Sequence, residues 1–433
     1  ASVLCYPLCL IFKASLSSGI FPQEWKRSYV VAIFKKGDKH NFENYRPISK
    51  LNVMGKLFEK IVFDIIFPCI RPHIISNQHG FVTKKSTETY LCEFVHTVLV
   101  AMDNGYQVDV VYTDYSKAFD KIPHSILIEK VEAMGIHGDL LRWLASYLDN
   151  HTQAVTVQGF CSSFVPVTSG VPQGSHLGPL LFNIFLNDVN KTIRNSQLYL
   201  YADVKKIVKI IKSKMDCLEL QNDLDSLVNV YCIENRLLLN ADKCSVISYS
   251  RKKHTILYPY IIKNNILNRV NVIRDLGVLL DSKLIFQSHV EHITSKALKM
   301  LGFILRVSSA FKNPQTFKTL YISYVRSHLE YASTVWNPHC STYKANIERV
   351  QKKFMKYVSY RVRNDENYVP VNLKSLDQRR DTRDLLMLYK IIHNFIDSPY
   401  LLQNIHFRCP LRVTRSPDTF YIPKSQGRIY TFH

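Results

Sequence analysis

Two aspartates stand at the ends of apolar runs in this 433-residue chain, in settings that suit metal-assisted chemistry. Asp114 follows Val108-Asp109-Val110-Val111-Tyr112-Thr113, a run rich in β-branched residues, so its carboxylate lies at a strand end beside a turn. Asp203 falls between Leu198-Tyr199-Leu200-Tyr201 and Ile207-Val208, at the tip of a hairpin-like element. Brought together in one sheet, the two would make a hard oxygen site of the type that holds Mg²⁺ with substrate phosphates. Two-metal phosphoryl transfer uses such a layout, one ion activating the attacking oxygen and the other holding the leaving group. Taken alone, each aspartate is a poor signal and reads more readily as a turn or cap residue. The residue after Asp203 is Val204, whose isopropyl group offers a cation neither charge nor lone pairs.

The elements that must position these carboxylates follow from the residue pattern. Up to about residue 106 the pattern is mixed, with a strand over 29–34, a basic turn at Lys35-Lys36-Gly37-Asp38-Lys39 and a helix over 53–68. Over 107–281 short strands alternate with helices, the strands at 108–113, 153–157, 198–202, 207–211 and 246–249. Beyond 286 the chain becomes helical and basic, with helices over 289–311, 314–331, 343–360 and 377–394; Pro314 suits a first-turn position. Lys296, Lys299, Arg306, Lys312, Lys318, Arg326, Arg349, Lys352, Lys353 and Lys356 recur along them, opposite apolar stripes. The apolar opening over 3–12 is short, lacks a positive leader and holds Pro7, so it reads as a buried element rather than a signal core.

Composition bounds the partners. A formal charge of +21, spread over the whole length, points to nucleic acid. No basic amphipathic segment stands apart to suggest a membrane surface. None of the ten cysteines forms a Cys-x-x-Cys pair, which argues against a zinc ribbon and for reduced thiols in an intracellular compartment. With 46% hydrophobic and 21% charged residues the chain is globular, and nothing at Ala1 or His433 marks a natural boundary.

Three strings carry a resemblance. Tyr112-Thr113-Asp114-Tyr115-Ser116-Lys117-Ala118-Phe119-Asp120-Lys121, then Ser169-Gly170-Val171-Pro172-Gln173-Gly174-Ser175-His176-Leu177-Gly178-Pro179-Leu180-Leu181-Phe182, then Tyr201-Ala202-Asp203, closely resemble motifs A, B and C of reverse transcriptases. The match is to the non-LTR retrotransposon type, most like the jockey-like elements. Phe34-Lys35-Lys36-Gly37-Asp38, Asn44-Tyr45-Arg46-Pro47-Ile48-Ser49 and Gln78-His79-Gly80-Phe81 with Ser86-Thr87 resemble its fingers motifs. Residues 235–244 resemble motif D, Asp275-Leu276-Gly277-Val278 the primer grip, and Leu329-Glu330-Tyr331 with Val335-Trp336-Asn337-Pro338 a region after the thumb.

The resemblance implies an α+β, right-hand polymerase fold. Fingers would span 1–106, a palm with an antiparallel sheet 107–281, and a basic helical thumb with a C-terminal extension 282–433. It implies RNA-directed DNA synthesis with two Mg²⁺ ions, Mn²⁺ being a possible substitute, held by Asp114, Asp203 and the main-chain carbonyl of Tyr115. Arg46 and Lys35 or Lys36 would clamp the triphosphate, Arg by its fork and Lys as a point charge. Phe119 would be the ring that excludes a ribose 2′-hydroxyl, with plain core packing as the competing reading. Gln173 and Gly174 would contact the incoming nucleotide, and Lys243 would protonate the departing pyrophosphate. Partners would be an RNA template, a DNA primer, dNTPs and the element RNA in a ribonucleoprotein, in cytoplasm and nucleus, with no membrane and no zinc.

Family members read Tyr/Phe-Ala-Asp-Asp where this chain reads Tyr201-Ala202-Asp203-Val204, and Tyr231 stands in place of a tryptophan before motif D. Loss of one carboxylate beside two divalent ions predicts strongly impaired polymerisation, while Val as a strand former leaves folding intact. The alternative is a non-catalytic RNA- or DNA-binding relic, or a co-opted RNA-binding protein, that keeps the polymerase fold.

Overall fold

The computed structural model describes residues 2–308, 310, 311, 313–361, 372–408 and 420; Lys312 and Cys409 lie outside them. The chain opens with helix α1 (Ser2–Ser18), which corrects the expectation of a buried element over 3–12. At helical spacing only Leu8, Phe12, Ser15 and Leu16 turn toward the body. There Phe12 stacks on Phe58 at 4.3 Å and Ser15 accepts the Trp143 indole N–H at 3.0 Å. Val3 and Tyr6 remain 84% and 73% exposed.

Strands β1 (Arg27–Phe34) and β2 (Tyr45–Lys50) pair antiparallel, and helix α2 (Val53–Ile70) follows, its first N–H groups capped by Asn52. Helix α3 (Thr87–Asp103) starts from a capping box between Ser86 and Thr89. Then come β3 (Gln107–Thr113), α4 (His124–Ala133), α5 (Gly138–Leu148), β4 (Thr152–Val157) and α6 (Gly178–Leu186). The strands β5 (Gln197–Tyr201) and β6 (Val204–Ile211), helix α7 (Lys214–Ser226) and strand β7 (Ser245–Tyr249) complete the central part. Although β4 lies within 107–281, it pairs in parallel with β1, so it extends the β1–β2 sheet rather than the central one.

The central sheet runs Asn268–Arg269, β7, β3, β6, β5, and every pair among the four long strands is antiparallel. Period-two alternation buries both of its faces. Val111, Leu198, Leu200, Ile207 and Val246 face one core, packed with Phe58, Trp143, Phe185 and Leu220 from the surrounding helices. Val108, Val110, Tyr112, Tyr199, Val208 and Ile247 face the other. Phe94 of α3 joins this second core together with side chains from beyond residue 281, so the C-terminal helices pack on the sheet as one body with it.

Those helices are α8 (Gln287–Val307), α9 (Pro314–Leu320), α10 (Ser341–Arg361) and α11 (Leu376–Ile392). The single helix expected over 314–331 is instead α9, a π-helical stretch Tyr321–Arg326 and the short helix Ser327–Glu330. On α10 the expected two-faced pattern holds: Ile347, Val350, Phe354 and Val358 are buried while Arg349, Lys352, Lys353 and Lys356 are exposed. Arg326 departs from it. Its guanidinium lies 3.6 Å from buried Glu330, which Arg379 grips through both Nε and Nη2, so this charge is spent within the fold.

One buried ion pair ties the central sheet to the hairpin β8 (Val272–Asp275) and β9 (Val278–Asp281). Lys206 of β6 and Asp275 are paired with side chains 0% and 1% exposed. The Lys206 ammonium also lies over the rings of Phe94 at 3.7 Å and Tyr90 at 4.2 Å. Burial pulls Lys206 down to about 8 and pushes Asp275 up, each opposed by its partner. A double-mutant cycle measures the pair. Lys206→Met alone strands a buried carboxylate and should cost about 3–5 kcal/mol in denaturant unfolding, whereas Lys206→Met with Asp275→Leu should cost clearly less. A double-mutant cost equal to the sum of the Lys206→Met and Asp275→Leu costs would show that the charges do not interact.

Candidate active site

The β5–β6 connection is only two residues, Ala202 and Asp203, with Tyr201 opposite Val204. So tight a turn needs a positive φ, which Ala202 supplies at +53° without the freedom of glycine. A neighbouring segment holds it there. The Gln78 side-chain carbonyl accepts the N–H of Ala202 at 3.0 Å and that of Gly80 at 2.8 Å, and the His79 N–H donates to the Leu200 carbonyl at 2.9 Å. Asn183 donates to the Gly80 carbonyl at 2.9 Å. A Cβ on Gly80 would come within 2.3 Å of the Ala202 nitrogen, so only glycine lets the segment lie this close. The sequence alone gives Gln78 and Gly80 no role, and their only signal is membership of the fingers motif.

The β3–β6 register brings in the other aspartate. Thr113 pairs with Lys205, which carries Asp114 to the level of Val204 and beside the turn that holds Asp203. Burial raises the pKa of Asp203, and the negative charge of Asp114 raises it further, while Lys35 and Arg46 act in the opposite sense. Burial also lowers the pKa of Lys35, with Arg46 and Lys243 adding to it and Asp114 opposing. The Lys243 Nζ stands 3.1 Å from Asp114 Oδ2. Asp114, Asp203, Lys35, Arg46 and Lys243, scattered over some two hundred positions of sequence, thus converge in one corner.

Local bonding explains how. Lys35 closes the β1–β2 hairpin by donating its N–H to the Asn44 carbonyl at 2.8 Å, and Arg46 lies opposite Ile33. The Asp114 carbonyl accepts from Asn240 N–H at 2.9 Å and Ser116 N–H donates to Leu238 at 2.8 Å, which anchors the turn Ala241–Lys243 beside Asp114. These two bonds bracket the bridge between Tyr115 and Leu239 and fix the backbone of the segment after Asp114 against Leu238–Asn240.

The loop carrying Gln173 and Gly174 docks against β2 and the segment after Asp114. The Gln173 carbonyl accepts from Ser49 N–H at 2.9 Å, and its side-chain amide donates to Asp120 at 2.8 Å. Asp120 also receives Ser169 through its carbonyl at 2.9 Å, and a Cβ on Gly170 would meet the Asp120 backbone at 2.7 Å. Asp120 is therefore the hinge between these loops, a role no spacing in the sequence announces. Phe119 stacks on buried Phe182 at 4.0 Å and 11°, with Phe81 edge-on at 6.1 Å, so its ring is held rigidly by the core.

The oxygen donors that the corner brings together are the carboxylates of Asp114 and Asp203. Among the described residues no three His, Cys, Asp or Glu side chains cluster closely enough to hold a metal ion. Oxygen donors of this chemistry fit one hard divalent cation, and the mutual repulsion of Asp114 and Asp203 is what such a cation relieves.

A feature missed in the sequence sits directly beneath. Lys205 is 0% exposed, its ammonium lies 3.0 Å from the centroid of the Tyr115 ring, and it has no hydrogen-bond partner among the described residues. Burial pulls it down to about 7, against Cys232, Cys244 and the two aspartates. Above that pH the folded chain has released a proton that an unfolded lysine keeps up to 10.5, so the destabilisation is complete below about 7 and fades as pH rises. Lys205→Met should therefore stabilise the chain by on the order of 2 kcal/mol near neutrality, with a gain that shrinks toward alkaline pH. A gain independent of pH between about 7 and 10 would mean that Lys205 keeps its proton in the fold. Gly80→Ala should cost about 1–3 kcal/mol or more in the same unfolding assay, by displacing the Ala202-Asp203 turn; an unchanged midpoint would show that the turn does not need this contact.

Comparison with known proteins bears on this corner. The family described as reverse transcriptase (RNA-dependent DNA polymerase) matches residues 33–305. The RNA-directed DNA polymerase from mobile element jockey of Drosophila melanogaster is 30% identical over 66% of this chain and 32% of its own length. The probable RNA-directed DNA polymerase from transposon X-element of the same organism is 26% identical over 81% of this chain and 40% of its own. The chain thus spans about a third to two fifths of these relatives. A structure of apo telomerase from Candida tropicalis is 10% identical, with a TM-score of 0.45 over 91% of this chain and 68% of that one. The family match covers more than half of the chain and includes every residue gathered in the corner, and the chain belongs to the reverse transcriptase (RNA-dependent DNA polymerase) family, on its non-LTR, jockey-like branch.

Proposed function

We propose that this chain is the polymerase part of a non-LTR mobile element, built for RNA-directed DNA synthesis by two-metal nucleotidyl transfer and impaired in this copy at Val204. The observation that carries the reading is the placement of Lys243 at 3.1 Å from Asp114, in the corner that Asp203, Lys35 and Arg46 share. Asp114, Asp203 and the Tyr115 carbonyl would hold the divalent cation, Mg²⁺ or Mn²⁺. Bound there, it supplies Lewis-acid activation of the primer 3′ oxygen and neutralises triphosphate charge.

The chain's own groups do the rest. Lys35 and Arg46 bind and orient the triphosphate, and Phe119, backed by Phe182, presents a fixed surface to the sugar. Gln173 and Gly174 line the nucleotide from the side of β2, with Gly174 at φ +120° and too close to the Ser49 carbonyl for an unstrained Cβ. As the primer 3′ hydroxyl loses its proton to solvent and its oxygen bonds the α-phosphorus, the bond from that phosphorus to pyrophosphate breaks and Lys243 gives its Nζ proton to the leaving group, to be reprotonated from solvent. RNA template, DNA primer and dNTPs are the substrates, and the element RNA is the partner, encountered in cytoplasm and nucleus. No helix among the described residues is long and apolar enough to cross a membrane.

A second reading has its own observation. Lys243 already pairs with Asp114, and Lys205 lies buried beneath, so the carboxylates have cationic company without metal. A protein in this state could bind primer-template and perform no chemistry. Primer extension on an RNA template with Mg²⁺ or Mn²⁺ separates the two. Val204→Asp should extend at least about a hundredfold faster than the parent chain, a gain corresponding to roughly 3 kcal/mol of transition-state stabilisation. Equal rates in both forms would show position 204 to be dispensable, and duplex binding without extension in either would favour the non-catalytic reading.

A further inference from the structure

The loop that carries Gln173 and Gly174 runs directly into helix α6, and a buried carboxyl meets it at the junction. Glu59 of α2 is 2% exposed, and its Oε2 accepts the N–H of His176 at 2.8 Å and that of Leu177 at 3.4 Å. These N–H groups lead into the first turn of α6, where opening N–H groups have no main-chain acceptor within the helix and the dipole favours an anion. Ser175 serves the next one: its Oγ accepts the Gly178 N–H at 2.8 Å, and a Cβ on Gly178 would come to 2.5 Å from that oxygen. The loop is thus held by Ser49 and Asp120 at Gln173 and by Glu59 at His176, and of the three only Glu59 is a buried ionisable side chain.

Packing alone does not call for such a residue. Burial pushes the Glu59 carboxyl up to about 7, opposed by the two N–H groups, the Tyr147 hydroxyl of α5 and the Lys56 ammonium one turn back on α2. An apolar side chain of similar volume would fill the same space without that cost. It would not accept the two N–H groups, and a main-chain donor left without a partner in the interior loosens its own segment first. Between His176 and Gly174 the turn is closed by the Ser175 N–H on the Pro172 carbonyl at 3.2 Å, so a shift at the junction is passed on to both nucleotide contacts.

We propose that Glu59 is a positioning residue for the incoming nucleotide: by holding the main chain of His176 and Leu177 it fixes Gln173 and Gly174 against β2. It acts only through the loop. The inference rests on the polymerase reading, which supplies the nucleotide as occupant, whereas the hold on the loop rests on the bonds alone.

Two variants of this one position test it. Glu59→Leu keeps the volume and removes the acceptor, and Glu59→Gln keeps an oxygen that can accept the His176 N–H. Amide hydrogen exchange of the ligand-free chain is read first. In Glu59→Leu the amides of Gly174, His176 and Leu177 should exchange about tenfold faster than in the parent chain, those of Ile184 and Phe185 farther along α6 should not change, and Glu59→Gln should recover most of the difference. Exchange accelerated throughout the chain, or at none of these amides, overturns the proposal. The affinity for dNTP is then measured with Mg²⁺ on an RNA template whose DNA primer ends in a dideoxynucleotide, in the parent chain and in Val204→Asp, each with and without the Glu59 changes. Glu59→Leu should weaken dNTP binding about tenfold and leave binding of the hybrid within about twofold, with Glu59→Gln again close to the parent. Equal loss of dNTP and hybrid binding, or no loss, overturns the nucleotide role. Should Glu59→Leu not fold, the parent chain decides: dNTP should slow exchange at His176 and Leu177 together with Gln173 and Gly174, and slowing confined to the latter pair overturns the proposal. A chain whose loop exchange follows the first expectation while no dNTP binds, even with Val204→Asp, overturns the polymerase reading and leaves the hold of Glu59 on the loop standing.

Discussion

The antiparallel register between β3 and β6 is the constraint on which the rest depends. Seven consecutive pairs, from Gln107 opposite Ile211 to Thr113 opposite Lys205, leave no freedom in where Asp114 falls relative to the Ala202-Asp203 turn. A slip of one residue would turn every side chain of β6 to the opposite core and carry Asp114 away from Asp203. Both faces of this sheet are buried, so the slip is opposed on two sides at once. Positioning two like charges side by side is unfavourable in itself, and the cores on either face provide the free energy that makes it tolerable.

Around that register the site is assembled by backbone contacts rather than by long side chains. Gln78 and Gly80 hold the turn, Asn240 and Leu238 flank Tyr115, and Asp120 joins the Gln173 loop to the segment after Asp114. Apart from the side-chain bond between Gln173 and Asp120, each uses a main-chain group on at least one side, which limits the effect of rotamer motion. Val204 opens its strand opposite Tyr201, as a β-branched residue readily does, so the scaffold of the corner does not need an aspartate at that position.

Lysines 205 and 206 show how far tertiary context can alter the meaning of a residue. Adjacent in sequence, they point to opposite faces of one strand. Lys206 finds Asp275 and three aromatic rings and joins the sheet to the β8–β9 hairpin. Lys205 finds the Tyr115 ring and, among the described residues, no hydrogen-bond partner. Similarly, Arg326 belongs to an apparent basic stripe, yet folding folds it back on Glu330, while Arg349, Lys352, Lys353 and Lys356 stay in water.

The family, most of the strands and helices, and the strings that hold Asp114, Asp203, Lys243, Lys35 and Arg46 are readable along the chain, because patterns of period two and 3.6 write the elements and motifs are local strings. That these five side chains share one corner, and what lies beside them, comes from the way the segments pack. The exposure of α1, the pairing of β4 with β1, the π-helical break at Tyr321–Arg326, the support of the turn by Gln78 and Gly80, and the burial of Lys205 arise from contacts between segments far apart in the chain. A residue's neighbours along the chain fix its own conformation, whereas the partner of a buried charge or a close-packed glycine is set by how whole sheets and helices meet, and no local pattern encodes that.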